Sequence, residues 1–469
     1  MFIYIIFFNN YLTLYCVFKL YLASKTDMFS IHGLSENQLN RVEKFFKEDV
    51  INKIARDTLF VERPPKKITP LNFVIAFLIG CCKKVYTFSE WAVQIGLLSG
   101  SETPTRQAMF DRISPKAVEF TKQLLYHTLC DKIERPKDDT LLSPFGKVLV
   151  QDSTTFHLSD RLVSEFPGNI SNDHEQKGVA RIQTIIDIKT MKSIDFSLGS
   201  FTDNDQSASR DIVHHAQKGD LVLRDLGYFV LDAFQQLIAN EVFILSRLKY
   251  GVNVFNPDGT TLNMSALLKG GKLIDMPVLV GAKHKIPFRL IMIPLPAEVA
   301  AERIRKARCD KDKRSNHDHQ YYERLKYSIF ITTVPRSILN PAQAAVIYKM
   351  RWQIEIVFKS WKSGLNMKTM LQDVDNASRV KVSIYLMLLF ITVFVSNLYA
   401  RYDADIRKKR GKYISIIKLT KFLYNNILFV FTIDDQHLSL MIETYCTYDT
   451  RKDRKNMAQQ INLVNTTHI

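Results

Sequence analysis

The chain lacks any pair of cysteines at the C-x-x-C spacing of a zinc or redox site. Its six, Cys16, Cys81, Cys82, Cys130, Cys309 and Cys446, are scattered, which excludes those chemistries and fits a reducing cytosol. No internal repeat or low-complexity tract is present, so the 469 residues read as two or three ordinary domains, each able to bury a core. Acid is also scarce. Against 64 Lys and Arg stand 47 Asp and Glu, a formal charge of +17, and an excess on this scale favours a polyanionic partner such as nucleic acid or an anionic membrane. Part of the excess also matches an AT-rich coding sequence, since Phe, Ile, Tyr, Asn and Lys are all plentiful. The apolar N-terminus, MFIYIIFFNNYLTLYCVFKLYLA, has no basic leader and is interrupted by Asn9, Asn10 and Lys19, which argues against a signal peptide or membrane span. The expectation is that residues 1–27 are a mis-assigned extension and that the working protein begins at Met28. A second run, SIYLMLLFITVFVSNLYA at 383–400, follows a polar-faced helix and is expected to be a buried core helix, so no stable membrane association is expected.

What is present falls into blocks. Residues 28–142 are helical in pattern, and TFSEWAVQIGLLSGSETPTRQAMFDRIS reads as two helices around a Gly/Ser turn, the second opening at Thr103 to Thr105 and carrying Arg106 and Arg112. That is compatible with a helix-turn-helix contacting DNA. From residue 143 the period changes. KVLVQDSTTF, RIQTIIDIK and SIDFSLGSF read as strands, SASRDIVHHAQKG as a helix and DLVLRDLGYF as a fourth strand, which predicts a mixed sheet with helices packed on it. Residues 242–335 are strand-rich again, and 401–469 are helical, polar and basic.

YKMRWQIEIVFKSWK, at 348–362, is the most informative stretch. At about 100° per residue, Tyr348, Arg351, Glu355 and Lys362 fall within roughly 60° of one another, while Ile347, Ile354, Phe358 and Trp361 form the adjoining apolar stripe. Asn340 as cap, Pro341 at the first helical position and Gln343 as capping-box partner mark the helix start. Asp152 in VLVQDST and Asp225 in LVLRDLGYF each lie at or near the end of a buried strand. With Glu355 they form three carboxylates able to converge. Hard divalent cations prefer such oxygen ligands, and a pair of ions can activate an attacking oxygen and stabilise a leaving one. Taken singly, each residue is an ordinary turn former or solvated side chain. Together, with cations beside them suited to a phosphodiester, they point to metal-dependent phosphodiester chemistry.

These residues carry a resemblance. Tyr348, Arg351, Glu355 and Lys362 match the Tyr-x2-Arg-x3-Glu-x6-Lys signature of a large group of DDE transposases from bacterial insertion sequences. Asp225, Gly227 and Tyr228 match the group's Asp-x-Gly-Tyr/Phe motif, and Asp152, Ser153 and Thr154 match its first acidic motif. The resemblance covers about residues 145–400. It implies an α/β fold with an RNase H-like catalytic core at 143–400, a β-rich insertion at about 242–335, and a helical N-terminal DNA-binding domain. It further implies catalysis by Asp152, Asp225 and Glu355 holding two Mg2+ or Mn2+ ions, and cut-and-paste transposition by hydrolysis and then 3'-hydroxyl attack on target DNA. The partners implied are double-stranded terminal inverted repeats and target DNA, engaged by a homodimer at the nucleoid of a bacterial cytoplasm. Tyr348, Arg351 and Lys362 take phosphate-contacting roles by the same resemblance, and Lys359 and Arg224 are further phosphate candidates. The rivals are a catalytically inactive DNA-binding descendant and a membrane-anchored protein.

Overall fold

The computed structural model describes residues 46–65, 67–82, 87–99, 102–130, 141–170, 176–309, 318–372, 374–430 and 433–449. The expectations for residues 1–27, the start at Met28 and the C-terminal tail lie outside them. Among the described residues five helices come first: α1 (Glu48–Asp57), α2 (Pro70–Cys82), α3 (Phe88–Ser99), α4 (Arg106–Arg112) and α5 (Pro115–Leu129). Ten strands follow: β1 (Val148–His157), β2 (Pro167–Ile170), β3 (Gln176–Asp187), β4 (Lys192–Ser200), β5 (Leu221–Arg224), β6 (Phe243–Arg247), β7 (Val254–Phe255), β8 (Ile274–Val280), β9 (Ile286–Pro294) and β10 (Tyr327–Thr332). All join one sheet, ordered β2-β3-β1-β5-β6-β10-β9-β8-β7, with β4 also on β3. Pairing is antiparallel from β4 through β3 to β1, parallel from β1 through β5 to β6, and antiparallel through the rest. The β4-β3-β1-β5-β6 half is therefore an RNase H-like core. The expected order of three strands, helix and strand appears in it, with the helix reduced to Asp211–His215 after a short 3-10 turn.

The strands read as unbroken apolar runs because helices cover both faces of the sheet. Val148, Val150, Leu221 and Leu223 point into one apolar cluster, Leu149 and Val222 into the other. Strand alternation thus assigns even residues of β1 and odd residues of β5 to the first face, and their neighbours to the second. The first cluster also takes in the N-terminal helices, so the apolar core continues across position 142/143: Phe46 meets Phe394 at 5.9 Å.

The run at 383–400 lies in a helical stretch, Ala377–Arg410, that is long and apolar enough to cross a membrane, yet 89% of its most apolar window is buried in protein. It is a core helix, packed against α5 and α2. In the expected hairpin, α3 and α4 pack together, and Thr105 caps α4 by accepting from the Ala108 N–H at 3.1 Å. Arg112 donates to the Phe60 carbonyl at 3.0 Å and lies over the Phe60 ring, so it is committed to packing, whereas Arg106 is exposed.

Candidate active site

Asp152 lies midway along β1 (Val148–His157), farther from the strand's end than the sequence pattern suggests. The reason is that Ser153 to His157 go on pairing with β3, while pairing with β5 stops at the row Val150 to Leu223. Asp225 is the first residue past β5, where the chain turns into a 3-10 turn at Leu226–Tyr228. The two carboxylates therefore flank the notch left beyond the carboxyl ends of parallel strands, the usual ligand position in such sheets.

Glu355 comes from a helix whose start is as expected: Asn340 and Gln343 close a capping box with both bonds at 2.9 Å. Its winding then changes. Helix α6 (Pro341–Lys349) tightens to a 3-10 turn at Met350–Trp352, resumes as α7 (Gln353–Lys359) and widens to a π turn at Ser360–Gly364. Such changes re-aim side chains, and the single polar face read at uniform pitch is dispersed. Tyr348 and Arg351 are buried, Glu355 half-exposed, and Lys359 and Lys362 exposed.

Arg351 is the centre of the site. Its Nη2 donates to Glu355 Oε1 at 3.1 Å, its Nη1 to Asp152 Oδ2 at 3.4 Å, and its Nε stands 3.5 Å from Asp225 Oδ1. One guanidinium thus joins all three carboxylates predicted to act together. Burial works against the charge on Arg351, but Asp225, Tyr348, Asp152 and Glu355 outweigh it and raise its pKa. Asp152 is pushed up to about 6, chiefly by burial and further by Asp225 and Asp205, against the opposing Ser153 N–H and Arg351. The pocket carries more negative charge than its one arginine neutralises.

Among the described residues no three His, Cys, Asp or Glu side chains stand close enough together to hold a metal ion, because the guanidinium lies between them. The donor set nevertheless suits one. Three hard carboxylates from three elements already converge on a cation, and Gly227 leaves the ground beside them bare: a Cβ there would stand 3.5 Å from Asp205 Oδ2 and 3.9 Å from Asp225 Oδ2. Divalent ions with oxygen ligands fit that description.

Two of the phosphate candidates are buried in this structure. Arg224 is fully buried, since it stands one residue before Asp225 and so faces the opposite side of the sheet. Tyr348 is also buried, and its hydroxyl donates to the Arg224 carbonyl at 3.1 Å; burial and nearby Asp225 lift its pKa to about 12. Lys362, with its ammonium 5.5 Å from the centre of the Phe156 ring, and Lys359 remain on the surface.

Sequence reasoning missed Asp205. Its Oδ1 accepts from Arg181 at 2.8 Å, Ser153 at 2.9 Å, Gln183 at 3.0 Å and Tyr228 at 3.2 Å, which anchors the loop after β4 beside Asp152. No local motif marks it, although the tyrosine of the Asp-x-Gly-Tyr motif turns out to be one of its partners.

With this geometry in view, comparison with known proteins is decisive. The transposase DDE domain family matches residues 143–391. The chain belongs to that family. This transposase is accordingly an enzyme of DNA strand cleavage and transfer, with DNA as its partner and divalent metal as the family's requirement. It is 25% identical over 407 residues to the transposase of insertion sequence IS231F from Bacillus thuringiensis subsp. israelensis, covering 79% of this chain and 82% of that protein. It is also 25% identical to the IS1151 transposase of Clostridium perfringens, over 69% of this chain and 72% of that one. A solved piggyBac transposase synaptic complex with hairpin DNA resembles it in outline, with a TM-score of 0.43 and 12% identity over 89% of this chain and 88% of that chain.

Proposed function

We propose that the transposase belongs to the group with the Tyr-x2-Arg-x3-Glu-x6-Lys signature and performs cut-and-paste movement of an insertion sequence, with Asp152, Asp225 and Glu355 as its catalytic carboxylates. The observation that carries this reading is the Arg351 guanidinium shared by all three. Carboxylates brought from a strand, a strand end and a helix onto one cation form a cation site, and here that cation is a side chain. Two Mg2+ or Mn2+ ions, when bound, would supply activation of the attacking oxygen and stabilisation of the leaving oxygen.

The chain's own residues do the rest. Asp152, Asp225 and Glu355 bind and orient from rigid elements. Arg351, exchanged from the carboxylates to a phosphate of the DNA, keeps its charge paired throughout. Lys359 and Lys362, exposed on the same helical stretch, hold the backbone of the transposon end. Both steps, cleavage by water and attack by the freed 3'-hydroxyl, are in-line displacements at phosphorus, so one site serves both. Two element ends have to be joined in one event, which favours a homodimer, and DNA as substrate places the reaction at the nucleoid of a bacterial cytoplasm. Exposed Arg106 and the other cations of the N-terminal helices bind the terminal repeat.

The test is incubation of the chain with the terminal-repeat DNA of its element and Mg2+ or Mn2+, beside the Glu355→Ala protein. Cleavage at the repeat boundary by the first and not the second is expected. Binding without cleavage by both, with affinity falling steeply in salt, would replace this reading with that of an inactive DNA-binding descendant.

A further inference from the structure

The face of the sheet behind the carboxylates holds a charged group that the reaction itself does not use. Arg224 closes β5, is fully buried and, among the described residues, forms no ion pair. Burying a guanidinium without a carboxylate is costly, so its hydrogen bonds indicate what it is kept for. Its Nη1 donates to Gln151 Oε1 at 2.7 Å, and its Nη2 to the Ser209 carbonyl and, at 3.2 Å, to Ser209 Oγ. Burial lowers its pKa to about 9, with Tyr228 and Asp211 opposing, so it is charged at neutral pH.

The placement of these partners is specific. Gln151 precedes Asp152, and Arg224 precedes Asp225. The parallel register pairs Val150 with Leu223, so the Gln151 and Arg224 side chains form a rung between the strands one row before the carboxylates, on the opposite face. Gln151 Nε2 donates in turn to the Ala208 carbonyl at 2.7 Å, and Ser209 Oγ to the Tyr228 carbonyl at 3.0 Å, which ties in the loop that carries Asp205 and the turn after Asp225. The backbone carbonyl of Arg224 accepts from Tyr348 Oη at 3.1 Å and Ser246 Oγ at 3.3 Å, which ties in the helix leading to Glu355. The strands of Asp152 and Asp225, the loop of Asp205 and the helix that leads through a 3-10 turn to Glu355 are therefore bonded to this one residue or to its direct partners.

We infer that Arg224 is a positioning residue: through the rung to Gln151 and the bonds to Ser209 it sets the spacing of Asp152 and Asp225 from behind the sheet. The inference rests on those aspartates being the working carboxylates. A lysine cannot replace it, because an ammonium has no planar fork with which to bond Gln151 and Ser209 together.

The experiment compares wild type with Arg224→Lys and Gln151→Met. It measures melting temperature, terminal-repeat binding across a salt series, Mn2+ affinity of the DNA-free protein by electron paramagnetic resonance, and the Mn2+ dependence of cleavage. Expected for both variants are unchanged DNA affinity and salt slope, Mn2+ affinity weaker by about tenfold, and slow cleavage partly restored by raised Mn2+. A lower melting temperature with wild-type Mn2+ affinity and cleavage profile would overturn the inference in favour of a purely structural role. Loss of DNA affinity with a shallower salt slope would overturn it in favour of a phosphate contact. Should Arg224→Lys not fold, Gln151→Met carries the same reading, since it removes the rung while leaving Arg224 bonded to Ser209. Failure of wild type itself to cleave counts against the proposed function instead, and Mn2+ binding then still reads the positioning role.

Discussion

Two arginines serve the same carboxylates from opposite sides, and they are built differently. Arg351, though buried itself, lies on the carboxylate side, shared at 3.1 to 3.5 Å between the largely buried Asp152 and the half-exposed Asp225 and Glu355. Arg224 lies on the closed side, fully buried, with a 2.7 Å bond to a neutral amide. Long contacts shared among three ionised partners, two of them reached by water, exchange readily. Short bonds to neutral partners in a dry interior cannot be given up without leaving donors and acceptors unpaired. The first arrangement suits a cation that gives way to other cations, the second a cation that keeps distances constant. One residue of strand separates the two environments, because consecutive side chains face opposite sides of a sheet.

The comparison breaks most visibly at the acids themselves. Asp152→Asn or Glu355→Ala is expected to lower strand cleavage by at least about a thousandfold, roughly 4 kcal/mol in the barrier, while gel-shift affinity for the terminal repeat persists; cleavage within tenfold of wild type would remove these residues from the chemistry. Next in size is stability. Arg224→Met leaves the Gln151 and Ser209 acceptors buried and unpaired, and about 3 kcal/mol of unfolding free energy should be lost in urea titrations, whereas Arg351→Met should cost less, because water reaches Asp225 and Glu355 and can solvate them in its place. Equal losses would erase the distinction between the two sites.

A pH series sharpens the same contrast. The folded pKa of Asp152 is raised from 3.8 to about 6, so between these values the native state holds more protons than the unfolded one. Asp152 should therefore contribute a fall in the stability of the metal-free protein as pH rises from about 4 to about 6, by on the order of 2 kcal/mol at most. Asp152→Asn should flatten that part of the curve; an unchanged slope in thermal melts would show that the acid is not destabilised by its surroundings. The smallest effects concern the rim. Lys362→Ala should weaken terminal-repeat binding several-fold and reduce the salt slope by about one, and Arg351→Gln should tighten Mn2+ binding to the DNA-free protein by a few-fold, about 1 kcal/mol. Weaker Mn2+ binding by Arg351→Gln would mean that the guanidinium supports the metal site instead of competing for it.

How far the sequence led depends on the range of the signal. The apolar runs of β1, β5 and β6, the capped start at Asn340 and the order of acidic motifs are written in neighbouring residues, and each could be read locally. The helix through 348–362 was legible as a helix but not as a change of winding, because uniform pitch is an assumption that packing overrules. The burial of Tyr348 and Arg224 was not legible in the sequence for a related reason: a polar side chain near an acid reads as surface until the strand's parity and the helix above it show that it is buried. Asp205 carried no signal at all. Its importance comes from Arg181, Ser153, Gln183 and Tyr228, which lie on three different segments.

By itself, the sequence determined the mixed strand-and-helix plan, the three acids and the family they belong to, since periodicity, capping and motif spacing are properties of short stretches of chain. Tertiary structure alone decided which charges meet. Arg351 sits among the carboxylates and Arg224 behind them because distant segments close on one another around an apolar core, and the cost of burying each polar group selects its partner.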